Sequence, residues 1–451
     1  MLNPTVTPVP GKPNLLLGTY DLADVGYRVE EFFVSGTATR YAGPTETADY
    51  TTRIAALMPT DPGRFSGTVV VEWLNVSGGI DAPAVWFMAH REVIRAGHGY
   101  VVVSAQRVGV EGGDSLGMDL SLKTQNAERY SALRHPGDAF SFDMYSQAGR
   151  LVRQRSSVLL GGAEPKTVLA VGESQSAAFL TTYINAVDRS AAVYDGFLVH
   201  SRFGGAASLD GGSFLGESDE PVPFIRELRV PVLTVITETD LVGKARSGYY
   251  AARQSDAELL RTWEIPGTAH ADNYTNKVGF IDSGLAPLDA LVAGYAPTNS
   301  LMGKDLPYFI NFGPQHHYVL QAALARLVEW VGGGEAPPGA PPLDLSDDAV
   351  PRLVCDVHGL ATGGVRTPWV DVPVARTSGL ADAEDVMGLL FGCGEPFAAE
   401  KLAALYPGGA DEYLRRFGAS LDSAIGAGFL LAADREEILA LAAAVYARQA
   451  G

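Results

Sequence analysis

Apolar residues occur in short, nearly unbroken runs separated by turn residues, and this pattern predicts buried strands that alternate with helices. Thr68–Leu74 and Tyr100–Ser104 are runs of the kind that suits strands covered on both faces. Later runs predict four more strands, at Thr167–Val171, Gly196–Val199, Val230–Ile236 and Arg261–Ile265. Such alternation favours a mostly parallel sheet with helices on both faces.

The N-terminal part has a different pattern, which is rich in Val, Thr, Phe and Tyr. Gly26–Tyr41 and Asp49–Met58 predict strands separated by a Gly-Pro break, so we expect antiparallel strands to open the sheet. Helices are predicted between the later strands, at Trp86–Ala96, Asp138–Arg153 and Ala177–Val187.

Glycine and proline divide the chain of 451 residues into two unequal parts. The segment Gly332–Pro342 has the composition of a linker. We therefore expect a domain with the predicted sheet at 1–345 and a mainly helical region at 346–451 packed on it. Two irregular stretches, near 202–229 and 273–313, interrupt the strand-helix rhythm and are candidates for insertions that cover a site.

Composition narrows the classes of function. Hydrophobic residues make up 47% of the chain and charged residues 19%, which favours a well-filled core. The net charge of −18 disfavours nucleic acid and anionic membranes as partners. The two cysteines, Cys355 and Cys393, are isolated and do not have the spacing of metal ligands.

The N-terminal residues do not combine a basic start with a sustained apolar run, as a signal peptide would. No stretch reaches the roughly 18 apolar residues of a membrane span. The expectation is therefore a cytoplasmic protein whose oligomeric state the sequence leaves open.

The strongest chemical signal surrounds Ser174. A buried strand runs directly into Gly172-Glu173-Ser174-Gln175-Ser176, and a predicted helix follows at once. A turn this tight from strand to helix has room only for small residues two positions before and after the serine. The turn holds the serine exposed, so that it can act as a nucleophile. Ser176 stands where glycine is usual, so the pattern draws its weight from the strand and helix around it.

A serine hydroxyl needs a base, and the base needs an acid to orient it. Asp240 follows the strand Val230–Ile236 and is the preferred acid, with Glu238 as the alternative. His270 lies in a glycine-containing loop just after the strand Arg261–Ile265 and is the preferred base, with His317 as the alternative.

A tetrahedral intermediate also needs preorganised hydrogen-bond donors. One donor is expected from the N–H of Gln175, and the other from Asn75 or Val76 in the loop after the third strand. Three aromatic residues are candidates for the substrate pocket: Trp86, Phe203 and Tyr274.

With these residues in place, the chain resembles an esterase-like family known as the alpha/beta hydrolase domain family, a branch of the α/β-hydrolase superfamily of serine hydrolases. The resemblance covers nearly the whole length and rests on several segments, among them Gly67–Asn75, Tyr130–Asp138, Gly172–Ser176, Thr237–Asp240, Gly267–Asp272, Gly363–Pro368 and Leu402–Pro407. It implies an α/β-hydrolase fold and a Ser-His-acid triad. It also implies that the C-terminal region is part of one catalytic unit.

The expected function is hydrolysis of a small-molecule carboxylic ester, lactone or thioester through an acyl-enzyme on Ser174, without a metal or organic cofactor. An acyltransferase or an amidase would use the same residues, and a non-catalytic binding protein on this fold is a further alternative. The substrate itself is beyond what these residues indicate.

Overall fold

The computed structural model describes residues 4–113, 118–154, 158–212, 220–384 and 386–450. Within these ranges nine strands form one sheet in the order β1-β2-β3-β5-β4-β6-β7-β8-β9. The strands are β1 (Thr5–Val9), β2 (Tyr27–Thr39), β3 (Thr47–Pro59), β4 (Thr68–Trp73), β5 (Gly99–Val103), β6 (Thr167–Glu173), β7 (Gly196–His200), β8 (Val232–Thr237) and β9 (Leu260–Ile265).

The pairing of the strands changes once across the sheet, from antiparallel to parallel, as the sequence predicts. The strands β1, β2, β3 and β5 pair antiparallel in that order. From β5 onward every neighbouring pair is parallel. The carboxyl ends of β4, β6, β7, β8 and β9 therefore lie along one edge, which is where α/β proteins assemble their sites.

Helices connect the strands and cover the sheet. They are α1 (Ala84–Ala96), α2 (Arg107–Glu111), α3 (Leu122–Gln125), α4 (Ser141–Arg153), α5 (Gln175–Thr182), α6 (Asp188–Ala191), α7 (Glu238–Val242), α8 (Gly279–Ile281), α9 (Leu288–Gly294), α10 (Gln315–Val331), α11 (Pro368–Asp371), α12 (Val386–Phe391), α13 (Ala399–Leu405), α14 (Gly409–Gly426) and α15 (Arg435–Ala450). Two π-helical turns, Tyr183–Val187 and Tyr274–Val278, continue α5 and precede α8. Of the described residues, no helix is both long enough and apolar enough to cross a membrane.

The sheet has an apolar core on each face, because alternate strand residues point in opposite directions. Val70 of β4 packs into the core that α1 and α10 cover, while Val69 and Val71 pack into the core beneath α4 and α5. Every residue of β4 and β5 is buried. The continuous apolar runs therefore form the centre of a doubly covered sheet, in agreement with the prediction.

A buried carboxylate fixes the start of α1. Pro83 precedes this helix and provides no side-chain cap. The Glu72 carboxylate instead accepts the Val85 N–H at 2.6 Å and the Tyr100 hydroxyl at 2.7 Å. Burial raises the pKa of Glu72 to about 8, against the lowering effect of these hydrogen bonds. Glu72 therefore ties the end of β4 to the helix that follows the next loop.

The C-terminal region shares its core with the nine-stranded sheet. Val365, Phe397, Phe417 and Leu441 belong to the same apolar cluster as α1 and α10. It also contains a second two-stranded sheet, formed by β12 (Ala375–Ser378) and β13 (Cys393–Pro396), while β10 (Ser300–Leu301) pairs with β11 (Lys304–Asp305) within the stretch 273–313.

The glycine- and proline-rich segment is not a free linker. The Trp263 indole N–H donates to the Pro338 carbonyl at 2.8 Å, and Arg261 donates to the Pro337 carbonyl at 3.1 Å. Both donors lie on β9, so the segment runs along this outer strand. The composition predicts the turns but does not show that their carbonyls have partners on the sheet.

The structure describes the two irregular stretches, near 202–229 and 273–313, to different extents. Residues 213–219 of the first stretch lie outside the described residues. The second stretch contains α8, α9 and the β10–β11 pair, so it has more regular structure than its sequence pattern predicts. Whether either stretch covers a site stays a prediction.

Candidate active site

Ser174 lies at the turn between β6 and α5 with φ 57° and ψ −119°. A positive φ in a residue with a Cβ is uncommon and costs about 1–3 kcal/mol, so the neighbouring structure must hold it. The Ser174 N–H donates to the His200 carbonyl at 3.0 Å, which extends the β6–β7 pairing into the turn. Ser174 therefore has a strained backbone conformation at a tight turn from strand to helix.

Close packing explains the small residues on either side of the turn. A Cβ on Gly172 would lie 3.0 Å from the Ser176 carbonyl oxygen, so a larger residue would push strand and helix apart. The Ser176 hydroxyl donates to the Glu173 carbonyl at 2.8 Å and accepts the Glu173 N–H at 2.9 Å. Serine in place of glycine therefore adds two hydrogen bonds that close the turn.

His270 and Asp240 meet across the ends of β9 and β8. The His270 Nδ1 lies 2.6 Å from the Asp240 Oδ1. The other oxygen, Asp240 Oδ2, accepts the Thr237 N–H at 2.8 Å and the Thr237 hydroxyl at 2.7 Å, so the carboxylate is held from both sides. The ring of Phe203 stacks on His270 with centroids 5.2 Å apart. This arrangement fixes both the orientation and the tautomer of the imidazole.

The alternative acid, Glu238, contacts other groups. Its carboxylate accepts the Gly267 N–H at 2.5 Å, and the Ser378 hydroxyl and Gly379 N–H at 2.8 Å each. Glu238 thus connects the loop that carries His270 to the C-terminal β12. The sequence places both carboxylates after one strand, and only the structure separates their partners.

Two further hydrogen-bonded links hold the histidine loop, one directly from the C-terminal region and one through Asn311. The Ala271 N–H donates to the Leu390 carbonyl at 3.0 Å. The Asn311 side chain donates to the carbonyls of Gly267 and Ser378 at 3.0 and 3.1 Å. The position of His270 therefore depends on residues more than a hundred positions later in the chain.

A second carboxylate approaches His270 from the side of its other nitrogen. The Glu173 Oε1 lies 3.3 Å from the His270 Nε2, and the Glu173 side chain is 12% exposed. The Asn75 side chain donates to both the carbonyl and the Oε2 of Glu173 at 3.0 Å. Burial raises the pKa of Glu173 to about 7, although the charge of His270 lowers it. Nothing in the sequence pattern indicates this contact beyond the position of Glu173 in the elbow.

The loop after β4 is the expected source of an oxyanion donor. The Asn75 N–H already donates to the Ala82 carbonyl at 2.9 Å, and Ala82 returns a hydrogen bond at 2.8 Å. Arg53 and Asp81 form a buried ion pair at 2.6 Å that pins the far end of this loop. The N–H of Asn75 is therefore occupied, and the role of Val76 as a donor stays a prediction. Gln175 opens α5 directly after Ser174.

Two buried histidines, His200 and His316, lie close to the turn that carries Ser174. The His200 Nε2 and the His316 Nε2 are 2.8 Å apart, and the His316 Nδ1 lies 3.6 Å from the Asp272 Oδ2. Both rings are buried. Burial lowers the pKa of His200 well below its usual value, and the charges of His316 and His270 act in the same direction. Sequence reasoning does not link these residues, because they come from separate elements.

The alternative base, His317, is buried on α10 away from these groups. Its ring stacks on Tyr274 with centroids 3.8 Å apart, and its Nδ1 lies 3.4 Å from the Tyr295 hydroxyl. Burial lowers the pKa of His317 well below its usual value. The His317 ring is therefore neutral and packed between aromatic side chains.

Of the three aromatic residues predicted to line the pocket, one contacts His270 and two are buried in the core. Phe203 lies against His270, as its place in the loop after β7 allows. Trp86 is buried in the sheet core, where its indole donates to the Leu17 carbonyl at 3.1 Å. Tyr274 is also buried and donates its hydroxyl to Asp282 at 3.0 Å. The structure does not bring Trp86 or Tyr274 to the site, because helix packing turns both toward the core.

Several solved structures resemble this one at low sequence identity. A putative dienelactone hydrolase from Klebsiella pneumoniae subsp. pneumoniae MGH 78578 is 13% identical over 58% of this chain and 95% of that chain, with a TM-score of 0.32. The protein XC6422 from Xanthomonas campestris, an a/b serine hydrolase without a lid, is 14% identical over 52% and 85%, with a TM-score of 0.31. A hyperthermophilic esterase from Pyrobaculum calidifontis is 15% identical over 47% and 65%, with a TM-score of 0.26.

No curated protein matches the sequence. A family model does match, and it spans residues 4–440, which is nearly the whole chain. Together with the strand order and the parallel half of the sheet, this match establishes the α/β-hydrolase fold. The chain belongs to the alpha/beta hydrolase domain family.

Proposed function

We propose that this protein is a serine hydrolase that cleaves a small-molecule carboxylic ester through the triad Ser174, His270 and Asp240. The observation that carries the proposal is the contact of 2.6 Å between the His270 Nδ1 and the Asp240 Oδ1 at the edge where Ser174 occupies a strained elbow. A buried aspartate that orients a histidine, with a serine in a strained strand-to-helix turn at the same edge of the sheet, is the arrangement from which acyl transfer proceeds on this fold.

The reaction then has two halves. The Ser174 hydroxyl attacks the ester carbonyl while the His270 Nε2 takes its proton, and the same imidazolium protonates the departing alcohol. Water then gives a proton to the His270 Nε2 and attacks the acyl carbonyl. When the bond to the Ser174 oxygen breaks, His270 returns the proton to that oxygen and the carboxylic acid leaves. Asp240 stabilises the imidazolium in both halves.

The tetrahedral intermediates place negative charge on the former carbonyl oxygen. We assign the backbone N–H groups of Gln175 and Val76 as its donors, since the Asn75 N–H is engaged with Ala82. Glu173, with its carboxylate 3.3 Å from the His270 Nε2, adds a charge that favours imidazolium when it is ionised. Its pKa of about 7 makes this contribution depend on pH in the neutral range.

The test is turnover of short p-nitrophenyl esters by the full chain and by two serine variants. Ser174→Ala should lose about 10⁴-fold or more in kcat, because the nucleophile is gone. Ser176→Ala is the matched control from the same turn, and it should keep its turnover within about tenfold. Equal turnover in Ser174→Ala and the unmodified protein, with both folded, would refute the proposal.

A further inference from the structure

A cavity of about 280 Å³ lies between the catalytic domain and the C-terminal region, apart from the proposed catalytic residues. One wall comes from the chain before and at the start of α10, where Tyr295, Phe312 and Gln315 line it. The opposite wall comes from the C-terminal region, with Trp369 and the α15 residues Ala442 and Val445. Ser174, Glu173, Asp240 and His270 are not among the described residues that line it.

The cavity is mostly apolar but contains two buried amide oxygens that need a donor. Gln315 is 0% exposed, and its Oε1 has no hydrogen-bond partner among the described residues. Gln449, at the end of α15, is partly buried, and its buried Oε1 also has no hydrogen-bond partner among the described residues. A buried acceptor without a partner costs about 1–3 kcal/mol, so a bound donor would recover part of that loss.

The hydrogen bonds of the Gln315 amide nitrogen determine the orientation of the whole amide group. The Gln315 Nε2 donates to the Gly267 carbonyl at 3.0 Å and to the Pro266 carbonyl at 3.4 Å. Only the amide nitrogen can donate to a carbonyl, so the oxygen must face the opposite way. It lies beside Gly313, where an added Cβ would come within 2.6 Å of it, and Gly313 also lines the cavity.

We propose that this cavity binds a small alcohol, with the apolar chain among the aromatic and aliphatic side chains and the hydroxyl donating to Gln315. A hydroxyl is a neutral donor, so it satisfies an amide oxygen without the cost of burying a charge. A carboxylate fits less well, because its oxygens are acceptors and would face the acceptor oxygens of Gln315 and Gln449. An ammonium fits less well, because it would pass the positive guanidinium of Arg448, which is exposed at the cavity.

The volume sets the size of the ligand. At roughly 30 Å³ for each water, the cavity has room for about nine waters, which corresponds to an organic molecule of about eight non-hydrogen atoms. Apolar cavities of about half this volume already bind small aromatic molecules. The proposal does not depend on Ser174 being a nucleophile, since no catalytic residue contributes to the cavity.

The experiment is isothermal titration calorimetry of the full chain with n-heptanol and its isomer hexyl methyl ether, which has the same atoms but no donor. We expect heptanol to bind at one site and the ether to bind about fivefold more weakly, the weight of one hydrogen bond. Equal affinities for the two isomers, or binding of neither, would overturn the proposal.

Two variants locate the site. Ala442→Phe and Val445→Phe each place a ring into the cavity from α15, and each should abolish heptanol binding. If heptanol binds both folded variants as it binds the unmodified protein, it binds elsewhere and the proposal is wrong. A crystal of the unmodified protein soaked in n-heptanol gives the answer without a variant, since density must lie beside the Gln315 Oε1.

Discussion

Two histidine-carboxylate pairs lie near the elbow, and they differ in access and in what contacts the second nitrogen of the ring. His270 is 8% exposed and faces Asp240 at 2.6 Å, with the Glu173 carboxylate beside its Nε2. His316 is fully buried and lies 3.6 Å from Asp272, with its Nε2 bound to another histidine. The first distance is that of a strong hydrogen bond, and the second is too long for one.

The comparison shows why a histidine near an aspartate is not enough for acid-base chemistry. A base must exchange its proton with a reacting group, and the His316 Nε2 is occupied by the His200 Nε2. One of these two nitrogens must donate and the other accept, so at least one of the rings is neutral. The buried pair instead joins α10 to β7, whose last carbonyl, at His200, accepts the Ser174 N–H. We interpret it as support for the elbow.

The largest predicted difference is between the two histidines themselves. His270→Ala should lower kcat for a p-nitrophenyl ester by about 10⁴-fold or more, because the base that activates the serine is lost. His316→Ala should lower it by less than about a hundredfold, through the elbow alone. The measurement is steady-state kinetics on both variants, with His317→Ala as a further control. If His270→Ala keeps most of its turnover, the two pairs are assigned the wrong way round.

Substitutions of the carboxylates should produce a similar difference in kcat. Asp240→Asn keeps the volume but cannot hold the required tautomer, so kcat should fall by about 10⁴-fold. Asp272→Asn and Glu238→Gln should each change kcat by less than about tenfold, since neither carboxylate contacts His270. Kinetics on the three variants, with folding checked by circular dichroism, decides between them. A loss in Glu238→Gln as large as in Asp240→Asn would favour the alternative acid.

The buried pair should show its effect in stability. His316→Leu leaves the His200 Nε2 without its partner, so the free energy of unfolding should fall by about 1–3 kcal/mol. The double variant His200→Leu/His316→Leu should lose less than the sum of the single losses, because no unpaired nitrogen remains. Urea unfolding of the four proteins completes the cycle. Additive losses would show that the two rings do not interact.

The smallest predicted effect concerns Glu173. Its pKa is raised from 4.5 to about 7, so between these pH values the folded protein binds a proton that the unfolded chain releases. This contribution to stability is present below pH 4.5 and is lost as the pH rises through 7. Glu173→Gln should flatten that part of the stability profile and change kcat by only a few-fold.

Unfolding measured from pH 4.5 to pH 8 and the pH dependence of kcat check this prediction on the same variant. Asp119→Asn is a suitable control, since Asp119 lies far along the chain and hydrogen bonds lower its pKa instead. A Glu173→Gln profile that keeps the slope of the unmodified protein would show that Glu173 does not titrate in this range.

Much of the fold can be predicted from the sequence because its signals are local. The apolar run Thr68–Leu74 forms β4, and the predicted strand before Ser174 forms β6, which continues to Glu173. Asp138 shows the limit of such reasoning. It is predicted to begin a helix, yet Gly137 occupies that position and the Asp138 carboxylate accepts the Arg107 N–H at 2.7 Å.

The site is less predictable, because its decisive contacts join distant parts of the chain. The order of strands places Ser174, Asp240 and His270 at one edge, so their grouping follows from sequence. The contact between Glu173 and His270, the use of the Asn75 N–H by Ala82, and the bond from Glu238 to Ser378 depend on loop paths that carry no periodic signal. The family resemblance implies that the C-terminal region belongs to the same unit, but its hydrogen bonds to the histidine loop are visible only in the structure.

The most direct test of the central claim is the site at which an organophosphonate probe attaches. Trypsin should release Thr167–Arg189 as one peptide, and this peptide contains both Ser174 and Ser176. Fragment masses then assign the adduct to one serine. The account predicts a single adduct on Ser174 that is absent from Ser174→Ala and strongly reduced in His270→Ala. An adduct on another residue, or labelling that persists in folded Ser174→Ala, would contradict it.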